Sequence, residues 1–405
     1  MKQSVLLIIG IGISVILTTC QSTTKQSQKE VSQALVSDSI STSALSFNDE
    51  NDKVSLQVGG QVKIYVGNRS LNYGFHLRLW KENGQELLSM KSKTDSIRLV
   101  IFDWRAKKLS HSIAFPMEGP NGVGIMDDGY VTSLDSIFIK SNLPQSVYMT
   151  TLRKKVKLKY SIPYSPKYYS ISEWIGREHD NLWGVLWPDV DVTHHVQKLR
   201  GSAVFAKLNI RSGQFETAPI NYPTLFTNEW KSWEDIHFQP QAVIQSKALV
   251  YQFPAVDSLY VFNLQTQQQK AYYVRSRYKR TEPAPKRQAT TQEVLYVTQH
   301  STSYMNLVYD PYRDCYYRLV CHTIEEPQKY ISQLQVTLDK PLSIQIINSN
   351  FKLIGETMLP KNKYFVYDAF VTREGLWLST SNPNNPDNDE DHMVFDLLKL
   401  VKNED

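Results

Sequence analysis

Residues 75–115 read FHLRLWKENGQELLSMKSKTDSIRLVIFDWRAKKLSHSIAF and predict four short strands joined by tight turns. Apolar and polar side chains alternate at the start, as in a half-buried strand. Asn83-Gly84 then supplies the dipeptide preferred in two-residue hairpin turns, because both positions take positive φ. Further strands are predicted at 86–91, 96–104 and 109–115. Four antiparallel strands of this length make a sheet the size of one propeller blade.

The same unit recurs loosely along the chain. An Asp-Ser-Ile or Asp-Ser-Leu triplet at 95–97, 135–137 and 257–259 precedes an apolar strand each time. Pairs of strands around polar turns are predicted within 202–218, 258–274, 342–356 and 364–379, the last with strands at 364–371 and 376–379. Small sheets of this kind must pack on their neighbours, which predicts an all-β fold, a β-propeller of about six to eight blades. A pair of irregular β-sandwiches is the alternative.

The two ends of the strand-rich region are predicted to meet. Residues 54–66 and 392–401 both have the composition of strands. If they share one blade, the ring closes and no long strand edge is left exposed.

The first residues predict export. Residues 1–19 have the organisation of a signal peptide, with a basic start, an apolar run at 5–17 and small residues before Cys20. The apolar run is short for a membrane-spanning helix. The segment resembles a bacterial lipoprotein signal, which implies that the thiol of Cys20 is lipidated and anchors the chain to a membrane. An uncleaved anchor with a coincidental cysteine is the alternative.

The sequence divides into three parts. After the signal peptide, residues 20–52 are rich in Ser, Thr, Gln and Lys and are predicted to be a disordered tether. Residues 53–405 form the predicted propeller domain.

The net charge is +5 without one concentrated basic stripe, which argues against nucleic-acid binding. Cys315 and Cys321 lie in one predicted strand, too far apart for a disulfide, and are expected to be buried free thiols.

A family resemblance is carried by several short segments. They are EGPNG at 118–122, YQFP at 251–254, DSLYV at 257–261, YDPYRDCYYR at 309–318 and NPNNP at 382–386. The chain resembles a family of Bacteroidetes lipoproteins, a domain of unknown function described as a TolB-like six-bladed β-propeller. The resemblance covers nearly all of the mature chain. It implies six blades, with seven as the alternative, and a location in the cell envelope, but it supplies no catalytic residues.

The stretch 309–322 contains the first candidate ligand-binding residues. Strand alternation places Tyr316, Arg318 and His322 on one face, where they offer a phenol, a cation and an imidazole to an anionic or sugar ligand. Arg313 belongs to the same stretch. The alternative interpretation, which the usual behaviour of these residue types favours, is that the aromatic residues pack between blades and Arg318 satisfies backbone carbonyls.

Two other regions supply candidates. Trp183 and Trp187 lie among carboxylates and histidines within 164–195, a composition that suits sugar binding, although the default interpretation is a long loop between blades with its Trp residues in the core. Arg277 and Tyr278 belong to a basic run at 275–287 that could meet lipid head groups or an acidic polysaccharide. No metal site is predicted, because the acidic loop at 382–392 lacks the residues of a calcium-binding EF-hand.

Ser39 is the candidate modification site. It lies in Asp38-Ser39-Ile40, which resembles an O-glycosylation acceptor, within the tether. The sequence favours a non-enzymatic binding or scaffold module for a protein, peptide or glycan of the envelope, without a cofactor. The alternative is a glycan-active hydrolase or lyase with its site at the propeller channel. Because residues 21–25 lack an acidic cluster, the expected location is the periplasmic side of the outer membrane.

Overall fold

The structure is a computed structural model. It describes residues 53–66, 75–93, 97–163, 165, 168, 170–189, 196–223, 226, 238–282, 290–324, 332–389 and 391–403. The predicted signal peptide and tether, with Cys20 and Ser39, lie outside these ranges. Within them, no helix has both the length and the apolar composition needed to cross a membrane.

Strands account for most of the described chain. In order they are β1 (Val54–Tyr65), β2 (Phe75–Glu82), β3 (Gln85–Lys93), β4 (Ile97–Asp103), β5 (Lys108–Ile113), β6 (Ile125–Ser133), β7 (Ser136–Leu143), β8 (Gln145–Thr150), β9 (Val156–Ser161), β10 (Ser170–Glu178), β11 (Asn181–Trp187), β12 (Phe205–Asn209), β13 (Phe215–Thr217), β14 (Gln241–Gln245), β15 (Ala248–Gln252), β16 (Ser258–Asn263), β17 (Gln269–Tyr273), β18 (Ser303–Asp310), β19 (Cys315–Cys321), β20 (Leu342–Asn348), β21 (Leu353–Met358), β22 (Ala369–Thr372), β23 (Gly375–Ser379) and β24 (His392–Lys402).

The strands form four-stranded antiparallel groups. Four separate sheets consist of β6–β9, β10–β13, β14–β17 and β18–β21. The remaining strands form an eight-stranded sheet in the order β2-β3-β4-β5-β1-β24-β23-β22. Its two halves are joined through a single parallel pair, Tyr65 with Lys108. This larger sheet is therefore two four-stranded groups side by side.

The first strands of the groups are neighbours. Strand β10 contacts β6 and β14, and β18 contacts β14 and β22. Strand β22 also contacts β2, while β6 contacts β3 and β4 of the first group. A cycle of sheets whose first strands face a common centre is a β-propeller-like arrangement. This confirms the predicted all-β, propeller-like fold.

Each pair of adjacent groups encloses an apolar cluster. Two examples are the cluster around Phe205 and Tyr251, between the third and fourth groups, and the cluster around Tyr317 and Leu376, between the fifth and the last. Trp104 of the first group meets Phe370, Trp377 and Phe395 of the last group edge to face, at ring distances of 4.8, 5.0 and 5.9 Å. Each large side chain buried in this way contributes about 1.5–3 kcal/mol.

The first and last strands pair as predicted. Strands β1 and β24 run antiparallel from Val54 with Lys402 to Tyr65 with His392. Buried Asp396 of β24 accepts hydrogen bonds from the Gln61 amide at 2.9 Å and the Tyr364 hydroxyl at 2.8 Å. Burial raises the pKa of Asp396, but the hydrogen bonds from Lys363, Gln61 and Tyr364 outweigh it and hold that pKa below its usual value.

Turn chemistry in the first group also follows the prediction. Asn83 and Gly84 have φ values of 49° and 78° between β2 and β3, as a two-residue hairpin turn requires. The Asp-Ser triplets are less regular than expected. The triplets at 135–137 and 257–259 precede β7 and β16, a second strand in one group and a third strand in another.

Two local predictions are wrong. The strand predicted at 364–371 begins only at Ala369, because the Asp368 amide donates to the Phe365 carbonyl at 3.3 Å and forms a turn. The long loop considered for 164–195 is instead largely the hairpin of β10 and β11, whose Trp174 and Trp183 are buried.

The helices described by the structure are short insertions. They are α1 (Thr291–His300), α2 (Gln333–Asp339) and the 3-10 helix Val196–Leu199. Thr290 caps α1 in a capping box with Glu293, with the Glu293 amide 3.3 Å from the Thr290 hydroxyl. Helices α1 and α2 contact each other beside the fifth group.

Candidate functional site

A cavity of about 810 Å³ lies among the first strands. Its walls come from β2, β10, β14 and β18 and from the chain at and just before β22. Aliphatic side chains such as Leu79, Ile244 and Val308 form much of the lining, together with the amides of Gln241 and Asn306. A cavity of this size and composition is typical of a ligand-binding site.

Arg78 connects three groups at the wall of this cavity. Its guanidinium donates from Nη1 to the Gly129 carbonyl of β6 at 3.2 Å and from Nη2 to the Trp174 carbonyl of β10. It also lies 4.9 Å from the ring centre of Tyr130. Burial raises the pKa of Tyr130, which the charge of Arg78 opposes. Arg78 therefore stabilises the wall and places a cation beside the cavity.

Asn306 links neighbouring groups in a similar way on another wall of the cavity. Its amide nitrogen donates to the carbonyls of Val366 and Tyr367 at 3.1 and 3.2 Å, and thereby ties β18 to the segment before β22. Its side-chain oxygen accepts from the Leu307 amide at 2.8 Å. The two residues show how polar side chains in the first strands hold neighbouring groups together.

Acid-base groups are sparse at the cavity. Among the lining residues that the structure describes, Glu173 is the single carboxylate. Hydrolysis of a glycosidic bond ordinarily requires two carboxyl groups flanking the bond. Across the described ranges, no three His, Cys, Asp or Glu side chains are grouped so that they could hold a metal ion.

Aromatic residues line the cavity at and just after the end of β18. Tyr309 and Tyr312 line it, and the Tyr309 hydroxyl donates to Asp314 at 3.0 Å. Arg313, a predicted ligand-binding residue, instead donates to the buried Asp310 carboxylate at 2.9 Å and to the Arg373 carbonyl at 2.9 Å. Arg313 therefore fixes the turn between β18 and β19.

Arg318, another predicted site residue, is fully buried, with 0% of its surface exposed. It donates to the carbonyls of Val256, Asp257 and Val274 at 2.8, 3.2 and 2.7 Å, and to the side-chain oxygen of Gln252 at 2.6 Å. Burial lowers its pKa to about 10. The geometry is that of the alternative interpretation, in which Arg318 satisfies backbone carbonyls.

Tyr316 is buried at the same junction, between the fourth and fifth groups. Its hydroxyl donates to the side-chain oxygen of Gln245, and its ring lies 5.1 Å from Tyr309 and 5.5 Å from Phe351. The phenol is thus used in packing adjacent groups together.

His322, which is 5% exposed, belongs to a chain of polar contacts. Its Nε2 lies 2.7 Å from the Ser343 hydroxyl, which donates to Glu356 at 2.7 Å. The Tyr278 ring meets the imidazole edge to face at 5.7 Å, and Arg277 donates its backbone amide to Glu356 at 2.8 Å. The structure therefore brings together Arg277, Tyr278 and His322, which are distant in sequence.

The ionisation of His322 follows from its surroundings. Burial lowers its pKa to about 4, assisted by the positive charges of Lys340 and Arg280. The imidazole is therefore neutral at neutral pH. Burial likewise raises the pKa of the free thiols of Cys315 and Cys321, to about 11 and about 12.

Comparison with known proteins identifies the family. Residues 44–358 match a domain of unknown function, DUF4221. The chain belongs to the DUF4221 family. A DUF4221 member from Bacteroides vulgatus has a solved structure with a TM-score of 0.73 at 22% identity, covering 87% of this chain and 99% of that one.

A second solved structure is more distant. It is a protein from Bacteroides fragilis, provisionally named as exported, with a TM-score of 0.52 at 11% identity, covering 86% of this chain and 96% of that one. At these identities the two likenesses show a shared fold. No curated protein matches the sequence.

The remaining predicted residues of this DUF4221 chain lie elsewhere. Trp183 is buried between the third and fourth groups, and Trp187 is half-buried at the end of β11. Neither is among the contacts of the His322 network. The cavity-wall residues that sequence reasoning missed are Arg78 and Asn306, whereas Glu173 is one of the carboxylates of the 164–195 region considered for sugar binding. What marks such residues in the sequence is a polar side chain within the first strand of a group. This pattern identifies cavity residues only once the first strands are known to face the cavity.

Proposed function

We propose that this protein is an exported, lipid-anchored six-bladed β-propeller that binds a peptide segment of an envelope partner in its central cavity. Export is supported by the signal-like residues 1–19 and by the provisional name of the Bacteroides fragilis relative. Cys20 is the proposed lipid attachment site. The proposed location is the outer membrane, facing the periplasm.

Six blades are supported by the strand groups. The described strands form five consecutive groups of four, and β22–β24 with β1 form one more. An apolar cluster lies at each junction, including the one between the first group and the last. A seventh blade would need four more strands, whereas the longest gap between consecutive described strands is 29 residues, between β17 and β18, and it contains α1.

A binding function is supported by the chemistry of the cavity, and this observation carries the proposal. Its wall combines aliphatic and aromatic side chains with a few charged and amide groups, and it contains a single described carboxylate, Glu173. Such a wall suits recognition by burial of an apolar group beside a few polar contacts. The hydrolase alternative ordinarily requires a pair of carboxyl groups, which Glu173 alone does not supply.

The wall suits a peptide segment. Leu79, Ile244 and Val308 provide an apolar surface for an aliphatic or aromatic side chain. Gln241 on β14 and Arg78 on β2 contribute from different sides of the cavity, and their N–H groups can pair with peptide carbonyl groups.

The test introduces a large side chain into the cavity and measures its effect on peptide binding. Ala242, half-buried on β14, lines the cavity, and Ala271, exposed on the outer strand β17, does not. The lipid-anchored full chain in mild detergent is mixed with a random nonapeptide library, and retained peptides are identified by mass spectrometry. The wild type and Ala271→Trp should retain the same apolar peptides, whereas Ala242→Trp should bind them at least about tenfold more weakly, a loss of about 1.4 kcal/mol.

Two outcomes would contradict the proposal. Equal retention by Ala242→Trp and wild type would move binding away from the cavity. Failure of the wild type to retain any peptide, together with selective retention on an array of envelope glycans, would replace the peptide by a glycan.

A further inference from the structure

The chain after β17 forms a compact turn, here named the Ser276 turn (residues 275–280). The Lys279 amide donates to the Ser276 carbonyl at 3.3 Å, and the Tyr278 amide donates to the Ser276 hydroxyl at 3.2 Å. Arg275 donates from Nη2 to the Lys279 carbonyl at 3.3 Å. The turn is therefore closed by its own backbone and side-chain contacts.

Two carboxylates, of which Glu356 is buried and Asp257 is half-buried, fix the Ser276 turn to the body of the fold. Glu356 of β21, which is buried, accepts from the Ser276 hydroxyl at 2.7 Å and from the Arg277 amide at 2.8 Å. The Lys279 ammonium lies 2.9 Å from Asp257. Side chains on a turn held in this way are presented in a fixed arrangement, which lowers the entropy lost when a ligand binds.

The outward face of the turn is basic and aromatic. Residues 275–282 read RSRYKRTE, four basic residues and one acidic residue, a net charge of +3. Arg277, Tyr278 and Arg280 are exposed, with Tyr278 at 42%. Guanidinium groups bind carboxylates through paired hydrogen bonds, and an exposed aromatic ring offers a flat apolar face.

The hydrogen bonds of His322 determine its tautomer. The hydroxyl of Ser343 has one proton, which it donates to Glu356, so its oxygen accepts from Nε2–H of His322. Nδ1 is then an acceptor, and it is enclosed without a hydrogen-bond partner among the residues that the structure describes. The neutral imidazole therefore contributes by packing edge to face against the Tyr278 ring.

These features select among negatively charged ligands. A bare phosphate surface needs cations alone, and it gains nothing from an aromatic face. A sugar acid uses both features of the turn, since its carboxylate meets guanidinium groups and its apolar ring face stacks on an aromatic ring. We propose that the Ser276 turn binds a carboxylated polysaccharide through Arg277, Arg280 and the ring of Tyr278.

This site lies outside the central cavity and does not depend on the peptide proposal. None of the residues of the Ser276 turn lines the cavity. A second site of this kind would let one propeller hold an envelope partner close to an acidic polysaccharide.

The test measures retention of the full, lipid-anchored chain in mild detergent on immobilised polymers. Polygalacturonate carries carboxylated sugars, heparin carries sulfated sugars, dextran carries neutral sugars, and polyphosphate carries charge without sugar. We expect binding to polygalacturonate at least about tenfold tighter than to dextran or polyphosphate. Binding to heparin at the same strength would extend the ligand class to sulfated sugars and would support the same site.

Variants assign the binding to the turn. Arg277→Gln should weaken polygalacturonate binding about tenfold, because the backbone amide that holds the turn is unchanged and only the cation is lost. Tyr278→Ala should weaken it similarly, whereas Tyr278→Phe, which keeps the ring, should not. Arg105→Gln removes an exposed cation on another group and should leave binding unchanged.

Three results would overturn the proposal. They are equal binding to polyphosphate, which would indicate a simple phosphate or lipid-headgroup surface, equal loss with Arg105→Gln, and full binding by both Arg277→Gln and Tyr278→Ala. Thermal unfolding midpoints within about 2 °C of the wild type confirm that the variants are folded. The two proposals are tested independently. If Ala242→Trp retained peptides as well as the wild type does, the results expected for polysaccharide binding would be unchanged.

Discussion

Replacing Arg318 by Met should remove a large part of the stability of the fold without touching the cavity. Met approximates the length of the Arg side chain but donates no hydrogen bond, so the carbonyls of Val256 and Val274 and the oxygen of Gln252 would lose their donor, whereas the Asp257 carbonyl would keep the Val274 amide at 3.0 Å. Each buried acceptor left without a partner costs about 1–3 kcal/mol. At the lower end, these three acceptors predict a loss of about 3 kcal/mol.

A further contact adds to this loss. The guanidinium lies 3.4 Å from the ring centre of Tyr304, and a desolvated contact of this kind contributes about 2 kcal/mol. Since domains are usually stable by about 5–15 kcal/mol, Arg318→Met should be marginally folded. Arg318→Lys should fall between the two, because one ammonium has three donors and cannot reach all four acceptors.

The assay is urea unfolding of the full chain, followed by tryptophan fluorescence. Arg211→Met is the matched control, since the Arg211 side chain is 81% exposed and its removal should change stability by less than about 0.5 kcal/mol. An unfolding free energy for Arg318→Met within about 1 kcal/mol of the wild type would refute the reasoning, because the three acceptors that lose their donor would then be satisfied in some other way.

Three other predictions address the anchor, the tether and the core. Cys20→Ala should move the chain from the membrane fraction to the soluble fraction and abolish labelling by an azido fatty acid, whereas Ser22→Ala should change neither. If Ser39 is glycosylated, Ser39→Ala should remove a discrete mass increment from the intact protein in its native host; an unchanged mass spectrum would exclude modification there. Burial raises the pKa of Asp368 well above its usual value, so its contribution to stability is present at low pH and is lost as pH rises through the folded-state pKa. Asp368→Asn should therefore be more stable than wild type in urea at pH 8, with the difference shrinking toward pH 4; lower stability at pH 8 would contradict this.

Much of the fold could be predicted because its local signals are strong. The Asn83-Gly84 turn and the strand alternation before it depend only on nearby residues, and both are present. The pairing of β1 with β24 was predictable for a different reason, since a ring of sheets must close between its ends.

Other parts depended on tertiary context. Tyr364 and Val366 are apolar and buried, so the segment reads as a strand, yet these side chains pack into the core from a turn. Helix α1 had a readable signal, since Thr290 and Glu293 form the capping box that its sequence permits. A single short helix among many strands carries little weight in a pattern-based prediction.

A stronger repeat than the Asp-Ser triplets was present in the sequence. The third strands β4, β12, β16 and β20 each end in Asp or Asn, whose side-chain oxygen accepts from a backbone amide two to four residues later. The residues are Asp103, Asn209, Asn263 and Asn348. They fix the turn to the outer strand in these four groups.

The candidate site was harder to predict than the fold. Arg277, Tyr278 and His322 were identified from their chemistry, and the structure brings them together. Arg318 has the same chemistry but is enclosed, and a sequence cannot show whether a cation on a strand faces a ligand or a neighbouring carbonyl. The cavity wall was missed because its members, such as Arg78 and Asn306, are far apart in sequence.

The most direct test of the central claim is hydrogen–deuterium exchange of the full chain with and without a peptide selected from the nonapeptide library. The account predicts slower exchange confined to the segments that line the cavity, residues 77–81, 173–175, 239–244, 305–312 and 367–371. Protection confined to outer strands such as β9 and β17, with those segments unchanged, would contradict the claim that the central cavity is the binding site.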